Sequence, residues 1–113
     1  MSLERFQTLA VEASTRIKTF GLGNVAVRWE DGFDFHRSGE RFDRVIVHGL
    51  IEPPGEAFRG LIAAGGVLVV AVAGRGEQRI VRLAANPKGA LEAADVGPAR
   101  GLRPLEHGLA RAL

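Results

Sequence analysis

The residues best suited to chemistry in this chain lie at the ends of predicted strands. Asp31 and Gly32 follow an alternating apolar stretch, Asn24 to Glu30, and His48 follows a short β-branched stretch, Arg44 to Val47. A carboxylate and an imidazole at such positions could hold a ligand's donor groups or move a proton. Each has a structural interpretation as well. Asp31 could instead form an Asx-turn with Gly32, and for His48 a hydrogen-bonded structural role is favoured.

Other motifs do not support catalysis or metal binding. Gly21 to Ala26 matches G-x-G-x-x-A, but it follows a predicted helix and precedes a strand, the reverse of the order that sets a pyrophosphate on a helix N-terminus. The three histidines, His36, His48 and His107, are far apart and lack the i, i+4 spacing of a helical zinc site, so no metal is predicted. The chain has no cysteine and no nucleophile elbow. The catalytic residues therefore stay unknown.

Hydrophobic spacing and turn residues define the elements that must position these side chains. The predicted order is a helix over Leu3 to Phe20, the strands Asn24 to Glu30 and Arg44 to Val47, a helix over Glu56 to Ala64 that starts after Pro53-Pro54 and is closed by Gly65-Gly66, a buried strand Val67 to Ala73, and a hairpin of Gln78 to Ala85 with Ala90 to Val96 around Asn86-Pro87-Lys88-Gly89, followed by a loop from Gly97. This alternation predicts an α/β fold whose sheet is mostly parallel with an antiparallel C-terminal hairpin.

Composition excludes several classes of protein. The 113 residues are 46% hydrophobic and 25% charged, which is typical of one ordinary globular unit. The net charge is only +2, and the basic residues are interspersed with acidic ones, so no nucleic-acid partner is predicted. The longest uncharged stretch, Gly60 to Gly74, is too short and too glycine-rich to cross a membrane. Glu4 and Arg5 argue against a signal peptide, and the cytoplasm is predicted by elimination.

In order and spacing, the motifs resemble the protein-L-isoaspartate O-methyltransferase family. The resemblance is carried by Glu4 and the helix after it, Leu22 to Arg28, Glu30-Asp31-Gly32, Phe42 to Val47, Gly65 to Val69 and Val72 to Gly74. It covers nearly the whole chain but only the C-terminal half of the family's domain. It implies a Rossmann-like sheet, S-adenosylmethionine as cofactor, and methylation of isoaspartyl carboxylates in damaged proteins.

The resemblance also implies roles for individual residues. Glu4 corresponds to the acidic residue that ends the family's second strand and accepts hydrogen bonds from the cofactor ribose, and Asp31-Gly32 to the pair beside the adenine. Glu30 stands where the family usually has glycine. His48 would lie in the loop after the fourth strand, and Glu106 replaces the hydroxyl residue of a Pro-Leu-Thr motif, so both are expected on the substrate side.

The same resemblance implies that a large part of the family's domain has no counterpart in residues 1–113, which form a single partial domain. The family's first strand, its glycine-rich cofactor loop and a substrate-binding segment would precede Met1, and the sheet is expected to lack strands 1 and 2. The family's strand order puts those two strands in the middle of the sheet and the last strand between the fifth and sixth. The strands Asn24 to Glu30 and Arg44 to Val47 are then each expected to have one edge without a partner.

The gap at these edges could be filled by a separate N-terminal half, by a second copy of the chain, or by direct repacking; alternatively, the chain is a chosen fragment. We expect little or no methyl transfer by the chain alone, because half of the cofactor pocket is missing. One alternative is a non-catalytic assembly module that dimerises through exposed strand edges. Another is a small nucleotide- or metabolite-binding domain that uses only the Asp31 site.

Overall fold

The computed structural model describes residues 1–52 and 56–113, with residue 56 described only by its place in a helix. The predicted helix start at Pro53-Pro54 lies outside the described residues. The chain forms two compact units, residues 1–35 with 107–113, and residues 36–106. The expectation of one partial domain stays a prediction.

The first unit contains a small parallel sheet and one long helix. Strand β1 (Ser2–Glu4) pairs in parallel with β2 (Val27–Trp29), with Ser2 opposite Val27 and Glu4 opposite Trp29. Helix α1 (Gln7–Thr19) follows β1 and buries Ala10. The sequence predicted a helix from Leu3, and this was wrong because the backbone of Ser2–Glu4 is used to pair with β2. The same pairing gives β2 a neighbour that was expected to be missing.

The start of α1 is completed by the other end of the chain. Phe6 stands at the N-cap and makes no side-chain hydrogen bond there. Instead, the backbone N–H groups of Gln7 and Thr8 donate to the carbonyls of Ala110 and Arg111, each at 2.9 Å. The residues beyond Glu106 therefore satisfy two of the amide groups that every helix leaves unpaired in its first turn.

The second unit is built on a four-stranded sheet in the order β3-β4-β5-β6. Its elements are β3 (Phe42–Ile51), the short helix α2 (Glu56–Arg59), β4 (Ile62–Ala73), β5 (Gln78–Ala85) and β6 (Leu91–Ala99); a 3-10 turn spans Phe35–Ser38. Strands β3 and β4 are parallel, whereas β4 with β5 and β5 with β6 are antiparallel.

The mixed α/β class is confirmed, with the predicted hairpin of β5 and β6. In the described chain the two-stranded sheet is parallel, and the four-stranded sheet has one parallel pair followed by two antiparallel pairs. The order implied for the last strands is corrected, because β5 and not β6 lies beside β4. A short hairpin connection places two strands that are consecutive in the sequence next to each other in the sheet.

The core of the second unit is formed by one face of its sheet. Leu68 and Val70 of β4 are 0% and 2% exposed, and Leu83 of β5 is buried beside Leu68. Phe58 of α2 and Ile51 at the end of β3 are buried too. The continuous apolar run of β4 predicted a strand buried on both faces, but only the face of Leu68 and Val70 is fully buried, and Val67 and Val69 on the other face are half-buried.

The connection from α2 to β4 differs from the prediction. Helix α2 ends at Arg59 and β4 begins at Ile62, so Gly65-Gly66 lies inside a strand and does not close a helix. The register moves from Phe42 opposite Ile62 to Arg44 opposite Val67, which makes a bulge in β4. A Cβ on Gly66 would lie 2.8 Å from the carbonyl oxygen of Ala63, so the bulge requires glycine there.

No helix among the described residues is long and apolar enough to span a membrane.

Candidate functional site

Two predicted ligand contacts, Glu4 and Asp31, lie at the same edge of the first unit's sheet. Glu4 is the last residue of β1 and pairs with Trp29, the last residue of β2. Asp31 follows Trp29 by two positions. Because β1 and β2 are parallel, their carboxyl ends meet at one edge, which is where ligands bind in open α/β sheets.

The Glu4 side chain is half-buried and oriented by the start of α1. Its Oε1 accepts a hydrogen bond of 2.8 Å from the backbone N–H of Phe6. Among the residues that the structure describes, no group donates a hydrogen bond to Oε2. Glu4 therefore offers one carboxylate oxygen to a ligand with hydroxyl donors.

Asp31 is the most constrained residue of this edge. Its side chain is 8% exposed, and it is the one buried charged residue of the described chain. Oδ1 accepts a hydrogen bond of 2.9 Å from the N–H of Phe33, which closes an Asx-turn across Gly32. Oδ2 accepts one of 2.7 Å from the N–H of Gly108. The Asx-turn interpretation is therefore confirmed, with an additional long-range partner that was not predicted.

His107 completes the surroundings of Asp31. Its Nδ1 lies 3.2 Å from Oδ2 of Asp31, and its ring stacks on Phe33 with centroids 4.5 Å apart and an interplanar angle of 20°. The imidazole is 64% exposed. Sequence reasoning did not place His107 in a site, because Gly108 and Asp31 are 77 residues apart and no local spacing relates them.

Asp31, Asp34 and His107 also bring three ligand-type atoms within 4.8 Å of one another. The i, i+4 spacing of histidine pairs does not indicate this cluster, because Asp31 and Asp34 are far from His107 in the sequence. Both Asp31 oxygens already accept backbone hydrogen bonds, and two members of the cluster are exposed. The arrangement is one of hydrogen bonding, and we assign no metal to it.

The expected substrate-side residues, His48 and Glu106, lie in the second unit. His48 was expected in a loop, but β3 continues to Ile51. The register moves from Val47 opposite Val70 to Leu50 opposite Ala71, so His48 and Gly49 form a bulge and His48 is exposed. The bulge keeps the strand paired beyond His48, which is why the strand is longer than predicted.

The segment before Glu106 lies against this bulge. Leu50 donates to the carbonyl of Arg103 at 3.0 Å, and Leu105 donates to the carbonyl of Leu50 at 2.9 Å. A Cβ on Gly49 would be 2.5 Å from Cγ of Leu105, so the leucine side chain is packed directly on the glycine. Gly49 and Leu105, the chain neighbours of His48 and Glu106, are thus in contact. The side chains of His48 and Glu106 themselves are exposed.

A parallel pair of strands with acidic residues at its carboxyl edge, and a mixed sheet, agree with the Rossmann-like methyltransferase fold that the sequence resemblance implies. The family of protein-L-isoaspartate(D-aspartate) O-methyltransferases matches residues 1–100, and the chain belongs to that family.

Individual relatives agree with this assignment. The protein-L-isoaspartate O-methyltransferase of Rhodopseudomonas palustris (strain BisA53) is 33% identical over 114 residues, which cover 100% of this chain and 52% of that protein. The one from Rhodospirillum centenum is 36% identical over 102 residues, which cover 88% of this chain and 45% of that protein. The chain thus spans about half the length of the curated relatives it matches.

Solved structures share the fold. A crystal structure from Plasmodium falciparum, described as a putative protein-L-isoaspartate O-methyltransferase in complex with S-adenosyl-L-homocysteine, has a TM-score of 0.75 at 18% identity, and the match covers 92% of this chain and 50% of that one. A second protein-L-isoaspartate O-methyltransferase has a TM-score of 0.79 at 16% identity over 96% of this chain and 34% of that one.

Proposed function

We propose that this chain supplies the adenosine side of the S-adenosylmethionine site in a protein-L-isoaspartate O-methyltransferase. The observation that carries the proposal is the parallel pairing of β1 and β2, which sets Glu4 and Asp31 at one carboxyl edge. In this proposal Glu4 accepts the ribose hydroxyls through Oε2, and Asp31-Gly32 lies beside the adenine. Family membership and a relative's fold in complex with S-adenosyl-L-homocysteine support the choice of cofactor.

The residues at this edge fit the adenosine group by their hydrogen-bonding capacity. A ribose offers hydroxyl donors, and Glu4 keeps one oxygen available for them. An adenine offers an amino donor, and Asp31 is a buried carboxylate fixed by two backbone N–H groups. A carboxylate held in this way does not need to be ordered when a ligand binds, so less of the binding free energy is lost.

Methyl transfer itself requires a part of the site that lies outside the adenosine edge. When bound, S-adenosylmethionine supplies an electrophilic methyl group on a sulfonium, and the acceptor is an isoaspartyl carboxylate oxygen. The transfer forms an O–C bond and breaks the S–C bond, whose electron pair stays on sulfur. The rate depends on holding oxygen, carbon and sulfur in line. We propose that His48 and Glu106 lie on the substrate side and that a partner completes the site.

We propose that this partner is either an N-terminal half or a second copy of the chain. Relatives about twice as long as this chain favour the first. The alternative of a non-catalytic assembly module stays a hypothesis, and at Leu50 the outer edge of β3 is already paired with Arg103 to Leu105. A cytoplasmic location and the absence of nucleic-acid and membrane partners also stay predictions.

The test is calorimetric titration of S-adenosyl-L-homocysteine into the purified 113-residue chain, with sedimentation giving its mass on the same sample. We expect weak, saturable binding that Glu4→Gln reduces about tenfold, because a hydrogen bond to a charged acceptor is exchanged for one to a neutral amide. Glu12→Gln, on the exposed face of α1, is the matched control and should bind as the parent chain does. A folded chain without saturable binding would overturn the proposal.

A further inference from the structure

The carboxyl-terminal residues return to the Asp31 site although the family match ends before them. That match covers residues 1–100, whereas His107 and Gly108 both contact Asp31. We call residues 107–113 the terminal segment. They belong to the same compact unit as β1, α1 and β2.

The terminal segment is fixed in place by several independent contacts. Arg5 Nη1 donates to the carbonyl of Gly108 at 2.9 Å, and Ala110 donates to the carbonyl of Arg5 at 2.9 Å. Gln7, at the start of α1, donates to Ala110 in turn. Gly108 has φ +90°, a conformation that favours glycine, so the backbone turns there to aim its N–H at Asp31. The segment is therefore held on both sides of the residue that contacts the carboxylate.

These contacts use the two oxygens of Asp31 unequally. Oδ2 receives the N–H of Gly108 and lies near Nδ1 of His107. Within the described chain, Oδ1 receives the N–H of Phe33. A carboxylate oxygen has about two acceptor positions. Oδ1 accepts one hydrogen bond, whereas Oδ2 accepts one and has Nδ1 of His107 3.2 Å away, so Oδ1 is the less crowded of the two oxygens.

We propose that His107 and Gly108 are positioning residues for this site: by occupying Oδ2 they fix the carboxylate so that Oδ1 selects a purine with an exocyclic amino donor. This inference rests on the proposed function and assigns part of its base specificity to the terminal segment. An adenine amino group donates to Oδ1, whereas a purine without that group leaves this oxygen without the added hydrogen bond. His107 acts through Asp31 and is not expected to contact the reacting atoms.

The test compares adenosine with purine riboside, which lacks only the exocyclic amino group. Each is titrated into the full 113-residue chain by heteronuclear NMR, and the ratio of the two affinities is the readout. His107→Phe keeps the stack on Phe33 and removes Nδ1, whereas His107→Asn loses the ring and keeps a donor near the same position. A chain ending at Glu106 removes the whole segment. A chain ending at Arg111 is its control, since the contacts described above are retained.

We expect the parent chain to prefer adenosine by about tenfold, as one hydrogen bond to a charged acceptor allows. His107→Phe and the chain ending at Glu106 should lose most of that preference, while His107→Asn and the chain ending at Arg111 should keep it. If the chain ending at Glu106 does not fold, the two His107 variants still decide the matter.

The other outcomes overturn the inference in distinguishable ways. One such outcome is that the parent chain prefers adenosine and that His107→Phe keeps the same preference. This result would refute the role of the terminal segment and leave the proposed function intact. A folded parent chain that binds neither nucleoside would remove the proposed cofactor edge and this inference with it.

Discussion

Asp31 has a structural role in the first unit, and the proposed ligand-binding role would use the same carboxylate. Its carboxylate closes an Asx-turn with Phe33 and holds Gly108 from the far end of the chain. The turn was predictable from Asp31-Gly32 after a strand, because both partners are local. The contacts with Gly108 and His107 were not, because nothing in sequence spacing indicates which distant segment meets a strand end.

A different carboxylate, Asp95, should control part of the acid sensitivity of the second unit. Arg79 on β5 donates to Asp95 on β6 through Nε at 2.8 Å and through Nη2 at 2.6 Å. The hydrogen bonds from Arg79 lower the pKa of Asp95 below its usual 3.8, and Asp95 in turn raises the pKa of Arg79. Stabilisation by this pair is therefore present above a pH of about 3.8 and is lost as pH falls through the lower folded-state pKa of Asp95.

We expect Asp95→Asn to remove that acid-dependent step. Urea unfolding followed across the acid range should show a smaller loss of stability for Asp95→Asn than for the parent chain. The difference should shrink at high salt, because the pair is exposed and screened. Asp43→Asn, another exposed carboxylate in the same unit, is the control. Identical acid profiles for all three proteins would contradict the prediction.

Among the elements, those set by local residues were predicted best. Strand β5 was placed at Gln78–Ala85, as observed, and the turn after it was recognised from Asn86-Pro87-Lys88-Gly89. The start of α1 and the end of α2 were misplaced, since pairing with β2 and with β3 overrides helical spacing there. The periodicity of a helix predicts which face can be buried. It does not predict where the backbone pairs with a neighbouring strand instead.

The hairpin turn between β5 and β6 provides one test at the scale of elements. Asn86 Oδ1 accepts hydrogen bonds from the N–H groups of Lys88 and Ala90, each at 3.0 Å. Asn86→Ala removes this acceptor and should lower the free energy of unfolding by about 1 kcal/mol, measured by urea denaturation. Lys88→Ala keeps the backbone donor and should have almost no effect. Equal effects of the two substitutions would show that the side-chain acceptor is unimportant.

The bulge in β3 provides a second test. Gly49→Ala would place a methyl group against Leu105 and should destabilise the chain by about 1–3 kcal/mol, because the core is overpacked. Gly23→Ala, with no neighbouring heavy atom within 4 Å, is the control. Adding Leu105→Ala to Gly49→Ala should relieve the overlap, so the double variant should be more stable than the sum of the two single effects predicts. Strict additivity would mean that the two residues do not compete for the same space.

At the scale of the whole molecule, the chain is compared with relatives of about twice its length. About half of their length is represented, and the fold class could be predicted from element order together with the resemblance. The parts of the site that residues outside this chain would provide could not be predicted from it, since side chains that meet in space need not share a chain.

We therefore expect no isoaspartyl methylation by the 113-residue chain on its own. The measurement is transfer of labelled methyl from S-adenosylmethionine to an isoaspartyl peptide, with the corresponding aspartyl peptide as control. The expected result is equal, background incorporation into both peptides. Incorporation specific to the isoaspartyl peptide would show that residues 1–113 contain a complete catalytic site, whether in one copy or in two.

The closure of the first turn of α1 by Ala110 and Arg111 has a consequence for biosynthesis. Helix α1 is synthesised about 100 residues before the carbonyls of Ala110 and Arg111, so its first turn cannot be completed until those residues have left the ribosome. Closing a loop of that length adds an entropic barrier to this step.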